Sequence, residues 1–244
     1  MNFFVLTVKF SVTSGVSGHN FTMQGQPLST TTEESDIGVK VTQNLKPSVQ
    51  CQKSARTAQT VLAQLARAFH FRDRHIFVRL YVQHVRPHLE FSSPAWSPWL
   101  EKDIECLENV QRRAVKMVTG LRGTSYEEKL TELGLTTLSE RRHQTDMLQT
   151  YKILTGKDKV KSESLFVKAS ENERATRSSA DPLNLRVPAS RLDIRQNFYS
   201  QRVPDQWNRV PPALKQSKTA AAFKSAYAAH RRDMAATPRI GDGA

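Results

Sequence analysis

Residues 96–123, WSPWLEKDIECLENVQRRAVKMVTGLRG, constrain the fold more than any other stretch. Within them Ile104, Leu107, Val110, Ala114, Met117 and Val118 return every three or four residues, the spacing that puts side chains on one face of an α-helix. The pattern predicts a helix over 101–119 whose apolar stripe must be buried against a partner. Glu105, Glu108, Arg112 and Lys116 mark the opposite face with the acids first, an order that suits i,i+4 pairing and the helix macrodipole. Gly120 and Gly123 are expected to end the helix.

The chain offers several partners for that stripe. Pro47 and Ser48 open a helical run to about Phe69, with Ala55, Ala58, Val61, Leu62, Leu65 and Ala68 or Phe69 on one side. Asp73 is the expected N-cap of a second helix carrying Ile76, Phe77, Leu80, Val82 and Val85 and ending near Pro87. Ser125 with Glu128, and Thr137 with Glu140, both fit the capping box, so two more helices are expected to start there. The first stops at Gly134. The second runs to about Thr155, with Leu138, Met147, Leu148, Tyr151 and Leu154 as core positions.

The ends of the chain read differently. Val-, Phe- and Thr-rich stretches at 4–13, 21–23 and 37–42 predict short strands. Residues 157–188 are polar and predict a loop or partial disorder. Phe198, Tyr199, Val203 and Trp207 stand at helical spacing before Pro211 and Pro212, and an Ala-rich helix is expected over about 219–229. The fold class is therefore α+β, predominantly α. Its expected parts are a β appendage (1–45), a helical bundle (46–156), a flexible polar linker (157–189) and a basic helical segment (190–244).

A net charge of +13 and a pI near 10.0 favour an acidic partner, nucleic acid ahead of an anionic membrane. From Arg186 onward eleven bases face four acids, a net +7. Two cysteines, Cys51 and Cys106, are too few for a disulfide framework and lack the spacing of a zinc knuckle, so they read as small buried hydrophobes in a reducing, intracellular compartment, cytoplasmic or nuclear. The apolar residues 1–10 are too few to span a membrane and lack the flanks of a secretory signal, and no membrane partner is expected.

Blocks across most of the chain carry a family resemblance. RPHLEF (86–91), AWSPWLEKDIECLENVQRRAVKMVTGLRG (95–123), SYEEKLTELGLTTLSERR (125–142) and YKILTG (151–156) come in order, followed by SRLDIRQNFYSQRVPDQWNRVP (190–211) and AFKSAY (222–227). FTMQGQPL (21–28) and DIGVKVTQNLKPSVQC (36–51) extend the match toward the N-terminus. Together they resemble the C-terminal part of LINE-type non-LTR retrotransposon reverse transcriptases. The resemblance implies that the first residues follow the catalytic palm and that 46–156 form the thumb and post-thumb bundle.

Polymerase chemistry in that family needs an adjacent Asp pair to hold divalent ions that clamp the attacking and leaving oxygens. This chain has no Asp-Asp dipeptide, and the resemblance starts after that turn, so no cofactor is expected and Mg²⁺ would belong to the absent palm. The chain is thus not expected to be an enzyme on its own. It also has no G-x-x-x-x-G-K, G-x-S-x-G or H-E-x-x-H. His84 and His88 stand four apart, but Pro87 spoils their geometry and no third ligand is evident.

Three arginine-rich clusters are the candidate phosphate contacts: Arg72, Arg74 and Arg79; Arg112, Arg113 and Lys116; Arg191, Arg195 and Arg202. The expected partner is an RNA or DNA duplex, held weakly through its backbone and without sequence preference, and the first cluster belongs to the stretch that the resemblance makes the thumb. For Arg112 the alternative is pairing with Glu108, one turn earlier. Trp96, Trp99, Tyr199 and Trp207 are read as core before stacking platforms. The competing function is a helical protein-interaction module kept by a host gene, whose partner would be another protein.

Overall fold

The computed structural model describes residues 22–23, 26–27, 31–171 and 181–236. The expected strand over 4–13 lies outside them. Two compact units divide the chain, 1–139 and 140–244, a division that falls inside the stretch 46–156. The protein is α+β with helices dominant.

The first unit begins with two antiparallel hairpins, β1 (Thr22–Met23) with β2 (Gln26–Pro27), and β3 (Glu33–Asp36) with β4 (Val39–Thr42). Ile37, expected in a strand, instead forms the turn with Gly38, both at positive φ (44° and 85°), the geometry of a tight two-residue hairpin. β4 is tied to the first long helix, α1 (Ser48–Ala68), by Lys40 N–H donating to Gln50 Oε1 at 2.8 Å. Lys53 Nζ also reaches the Gly38 carbonyl at 2.7 Å.

Cys51, Ser54, Ala55 and Ala58 make the buried face of α1 small-sided, and this lets α5 (Glu101–Lys116) pack along it. The expected stripe of α5 is largely seen, with Leu107, Val110, Ala114 and Val118 buried. The helix ends at Lys116, short of 119, and Met117 and Val118 close it with tighter turns. At the far end of α1 the expected apolar face gives out, for Ala68 and Phe69 are exposed.

α2 (Arg74–Leu80) starts as expected on Asp73, whose carboxylate accepts from His75 N–H at 2.8 Å and Ile76 N–H at 3.3 Å. It does not stop near Pro87. A π-helical turn, Tyr81–Val85, passes directly into α3 (Arg86–Glu90), and Arg86 N–H bonds the Tyr81 carbonyl five residues back. The wide turn makes room for the proline, which has no N–H to offer.

That turn also decides which side chains are inside. Phe77, Tyr81, Val85 and Leu89 are all buried at steps of four residues. On a regular helix such a row drifts by about 40° per step, and the π turn takes up part of that drift. Ile76, expected in the core from a 3.6-residue period, is 58% exposed, because its neighbour Phe77 faces inward. After α4 (Ser93–Trp96), Trp96 is buried and donates to the Phe91 carbonyl at 2.7 Å. α6 (Tyr126–Glu132) has the complete Ser125–Glu128 capping box.

In the second unit α7 (Leu138–Leu154) continues past the division, followed by α8 (Asp193–Gln196), α9 (Tyr199–Asn208), α10 (Pro212–Lys215) and α11 (Ala220–Ala236). Its core is aromatic: the Tyr151 and Tyr227 rings lie nearly parallel to Phe223 at 4.5 and 5.6 Å, with the Trp207 ring 5.9 Å from Phe223. Parts of the stretch expected to be a flexible linker are packed into it. Phe166, Ala169 and Leu185 are buried, Trp207 Nε1 donates to the Leu183 carbonyl at 2.7 Å, and Asn208 exchanges two 2.8 Å bonds with the backbone of Leu185. An aromatic core recruits a polar strand here because side-chain amide and indole groups satisfy its backbone.

His143 of α7 sits half-buried between Gln206 Oε1 (2.9 Å from Nδ1) and the Tyr227 hydroxyl (2.7 Å from Nε2). Burial, aided by Arg231, holds its imidazole below the ordinary value of 6.5. The folded state resists this protonation, so the stability it contributes is complete above 6.5 and is lost as pH falls through that value toward the depressed one. Denaturant unfolding from about pH 7 to pH 5 should show a fall in stability that His143→Gln reduces. Trp207→Ala should cost about 3–5 kcal/mol in the same assay, since the ring is wholly buried.

Candidate nucleic-acid interface

The first arginine cluster has Arg72 in the connection between α1 and α2 and Arg74 and Arg79 on α2 itself. Arg72 is spent on structure: Nη2 donates to the Ala66 carbonyl at 2.8 Å, closing the C-terminus of α1, and its own carbonyl accepts from Thr119 N–H at 3.0 Å. Arg74 pairs with Glu132 of α6 at 2.5 Å, both side chains half-exposed. Arg79 is exposed. Arg74, His75, Val78 and Arg79 of α2, with Glu132 and Leu133, line a recess of about 450 Å³.

The second cluster lies along α5. Arg112 does not follow the expected pairing with Glu108; its guanidinium lies 5.2 Å from the Tyr126 ring centre and donates to Asn109 Oδ1 at 3.2 Å. Glu108 is buried, accepting from the Tyr126 hydroxyl and from Leu138 N–H at 3.0 Å. Burial and this carboxylate push the Tyr126 hydroxyl well above its usual range, so it stays a donor. Arg113 and Lys116 are exposed.

In the third cluster Arg191 and Arg195 are exposed, whereas Arg202 is turned inward. Its guanidinium grips Asp146 through Nη2 at 2.9 and 3.0 Å and Nε at 3.2 Å, and Nη1 donates to the Asn197 carbonyl at 2.9 Å. Burial pushes the Asp146 carboxyl up, and Arg202 works against that shift. Within the fold Arg202 is thus the ion-pair partner of Asp146, and Arg72 a contact to the end of α1.

Among the aromatic candidates, Trp96, Tyr199 and Trp207 are buried, which leaves them no exposed face for stacking, and Trp99 is half-buried. The exposed rings are elsewhere. Phe71 is 75% exposed and Phe69 38%, in the segment FHFRDRH (69–75), where two Phe and two His stand beside two Arg. Cys51 is fully buried, and burial together with Asp103 pushes the Cys106 thiol up, as suits small hydrophobes rather than nucleophiles. Among the described residues no group of three or more His, Cys, Asp or Glu could hold a metal ion, and no helix is long and apolar enough to cross a membrane. Comparison of the chain with protein-family models, with curated proteins and with solved structures finds no match.

The Arg202–Asp146 assignment has a direct test. Asp146→Ala leaves a guanidinium buried without its carboxylate and should cost about 3–5 kcal/mol in denaturant unfolding. Asp146→Leu combined with Arg202→Met should recover much of that loss.

Proposed function

We propose that the chain is the thumb and post-thumb part of a LINE-type non-LTR reverse transcriptase, one that holds a template–primer duplex by its phosphate backbone and performs no polymerase chemistry by itself. The observation that carries this reading is the set of exposed bases Arg79, Arg113 and Lys116 in the first unit and Arg191 and Arg195 in the second, on a chain of net charge +13. Such contacts position a duplex without reading its sequence. The ordered blocks of resemblance and the missing Asp pair support the family and the lack of catalysis, and an intracellular site, cytoplasmic or nuclear, goes with that role.

A second reading, a protein-interaction module, is favoured by one observation. Val187, Leu192, Ile194 and Phe198 of the second unit are exposed large hydrophobics among the bases around α8.

Duplex affinity measured against salt separates the two. If about four phosphates are neutralised, log affinity should fall with log salt at a slope near −4. Arg79→Glu, Arg113→Glu and Lys116→Glu should each flatten the slope by about one unit without lowering the melting temperature, because all three are exposed. An unchanged slope removes these residues from the interface. Absence of binding at low salt hands the function to the second reading.

A further inference from the structure

We propose that the α1–α2 connection, residues 69–73, is a stacking site for unpaired bases of a single-stranded nucleic acid, with the adjoining recess taking the flanking phosphates. This goes beyond duplex holding, which needs no exposed ring. A lone exposed apolar side chain is ordinary. Here two rings, Phe69 and Phe71, stand out on either side of an exposed His70.

The backbone beneath them is held at both ends. Phe69 N–H bonds the Leu65 carbonyl at 3.0 Å, Arg72 reaches Ala66 O through its side chain and takes Thr119 N–H on its carbonyl, and Asp73 caps α2. A ring presented on an anchored segment loses little entropy when a base settles on it, and every base has a face to stack.

The charge around the rings suits a nucleic-acid strand. Residues 67–79 contain four arginines and one carboxylate, net +3, and that carboxylate, Asp73, is spent on the helix cap. Arg67, His70, His75 and Arg79 are exposed beside the half-exposed Arg74. The recess of about 450 Å³ is concave and has guanidinium donors next to the Glu132 carboxylate, which Arg74 neutralises. A phosphate can lie on the exposed Arg79 while Arg74 stays paired with Glu132. An anionic bilayer would meet the same bases but offers no base to stack on the two rings.

The test is fluorescence anisotropy at low salt with single-stranded oligothymidylate and oligouridylate of about 15 nucleotides, a blunt duplex of the same length, and vesicles containing phosphatidylserine. The parent should bind both single strands, and Phe69→Ala/Phe71→Ala should weaken them about 10- to 100-fold while leaving the blunt duplex and the melting temperature unchanged. Phe71→Trp should keep the affinity, and its fluorescence should be quenched by the bound strand. Equal single-strand affinity of parent and double variant overturns the proposal, as does capture of the parent by vesicles but by neither oligonucleotide. A parent that binds the single strands but not the blunt duplex sinks the duplex reading and leaves this one standing.

Discussion

A buried polar network at the centre of α5 holds the first unit together. Gln111 is fully buried, takes the Tyr81 hydroxyl on Oε1 at 2.8 Å, and donates from Nε2 to the Tyr126 hydroxyl and the Thr136 carbonyl, both at 3.0 Å. Glu108, one turn away, receives Tyr126 and the first N–H of α7. Four elements thus meet on two side chains of one helix. Burying a carboxylate is costly unless donors surround it, so the π turn, α6 and the start of α7 are tied to α5 at the positions that supply those donors. The apolar stripe only requires that α5 be covered; this network selects what covers it and in which register.

The second unit relies on the same device in different chemistry. Asp146 is satisfied by Arg202, and Lys215, buried, by Asp181 at 3.0 Å and Asn184 at 2.5 Å with its ammonium 5.5 Å from the Trp207 ring centre. His143, between Gln206 and Tyr227, is held below its ordinary pKa by burial. Glu140 behaves oppositely: burial alone would raise it, but the hydrogen bonds from Arg231 and Gln144 hold its carboxyl below the usual value. Acid would therefore act on Glu140 only below about pH 4.5, a window separate from that of His143.

These networks bear on function through what they consume. Net charge counts every arginine alike, yet Arg72 and Arg202 are occupied within the fold and Arg112 lies over Tyr126. The bases left for a polyanion are fewer and more dispersed than the three clusters in the chain suggest. In the α1–α2 connection two exposed rings, Phe69 and Phe71, stand within three residues of one another beside the exposed Arg67 and His70.

Sequence alone determined the helical class, the 48–68 helix almost to the residue, the Asp73 cap and the Ser125–Glu128 box, because periodicity and capping are local and act within one or two turns. It also carried the family resemblance and the absence of an Asp pair. Only tertiary structure decided the fate of individual polar and aromatic residues. Glu108 lies on what looks like a solvated stripe, but the residues that satisfy it, Tyr126 and Leu138, are 18 and 30 positions away. The π turn at 81–85 likewise answers to Pro87 and to a row of side chains that no 3.6-residue period reports. Whether an arginine meets phosphate or a buried carboxylate depends on desolvation, and desolvation is a property of the packed chain, not of its local spacing.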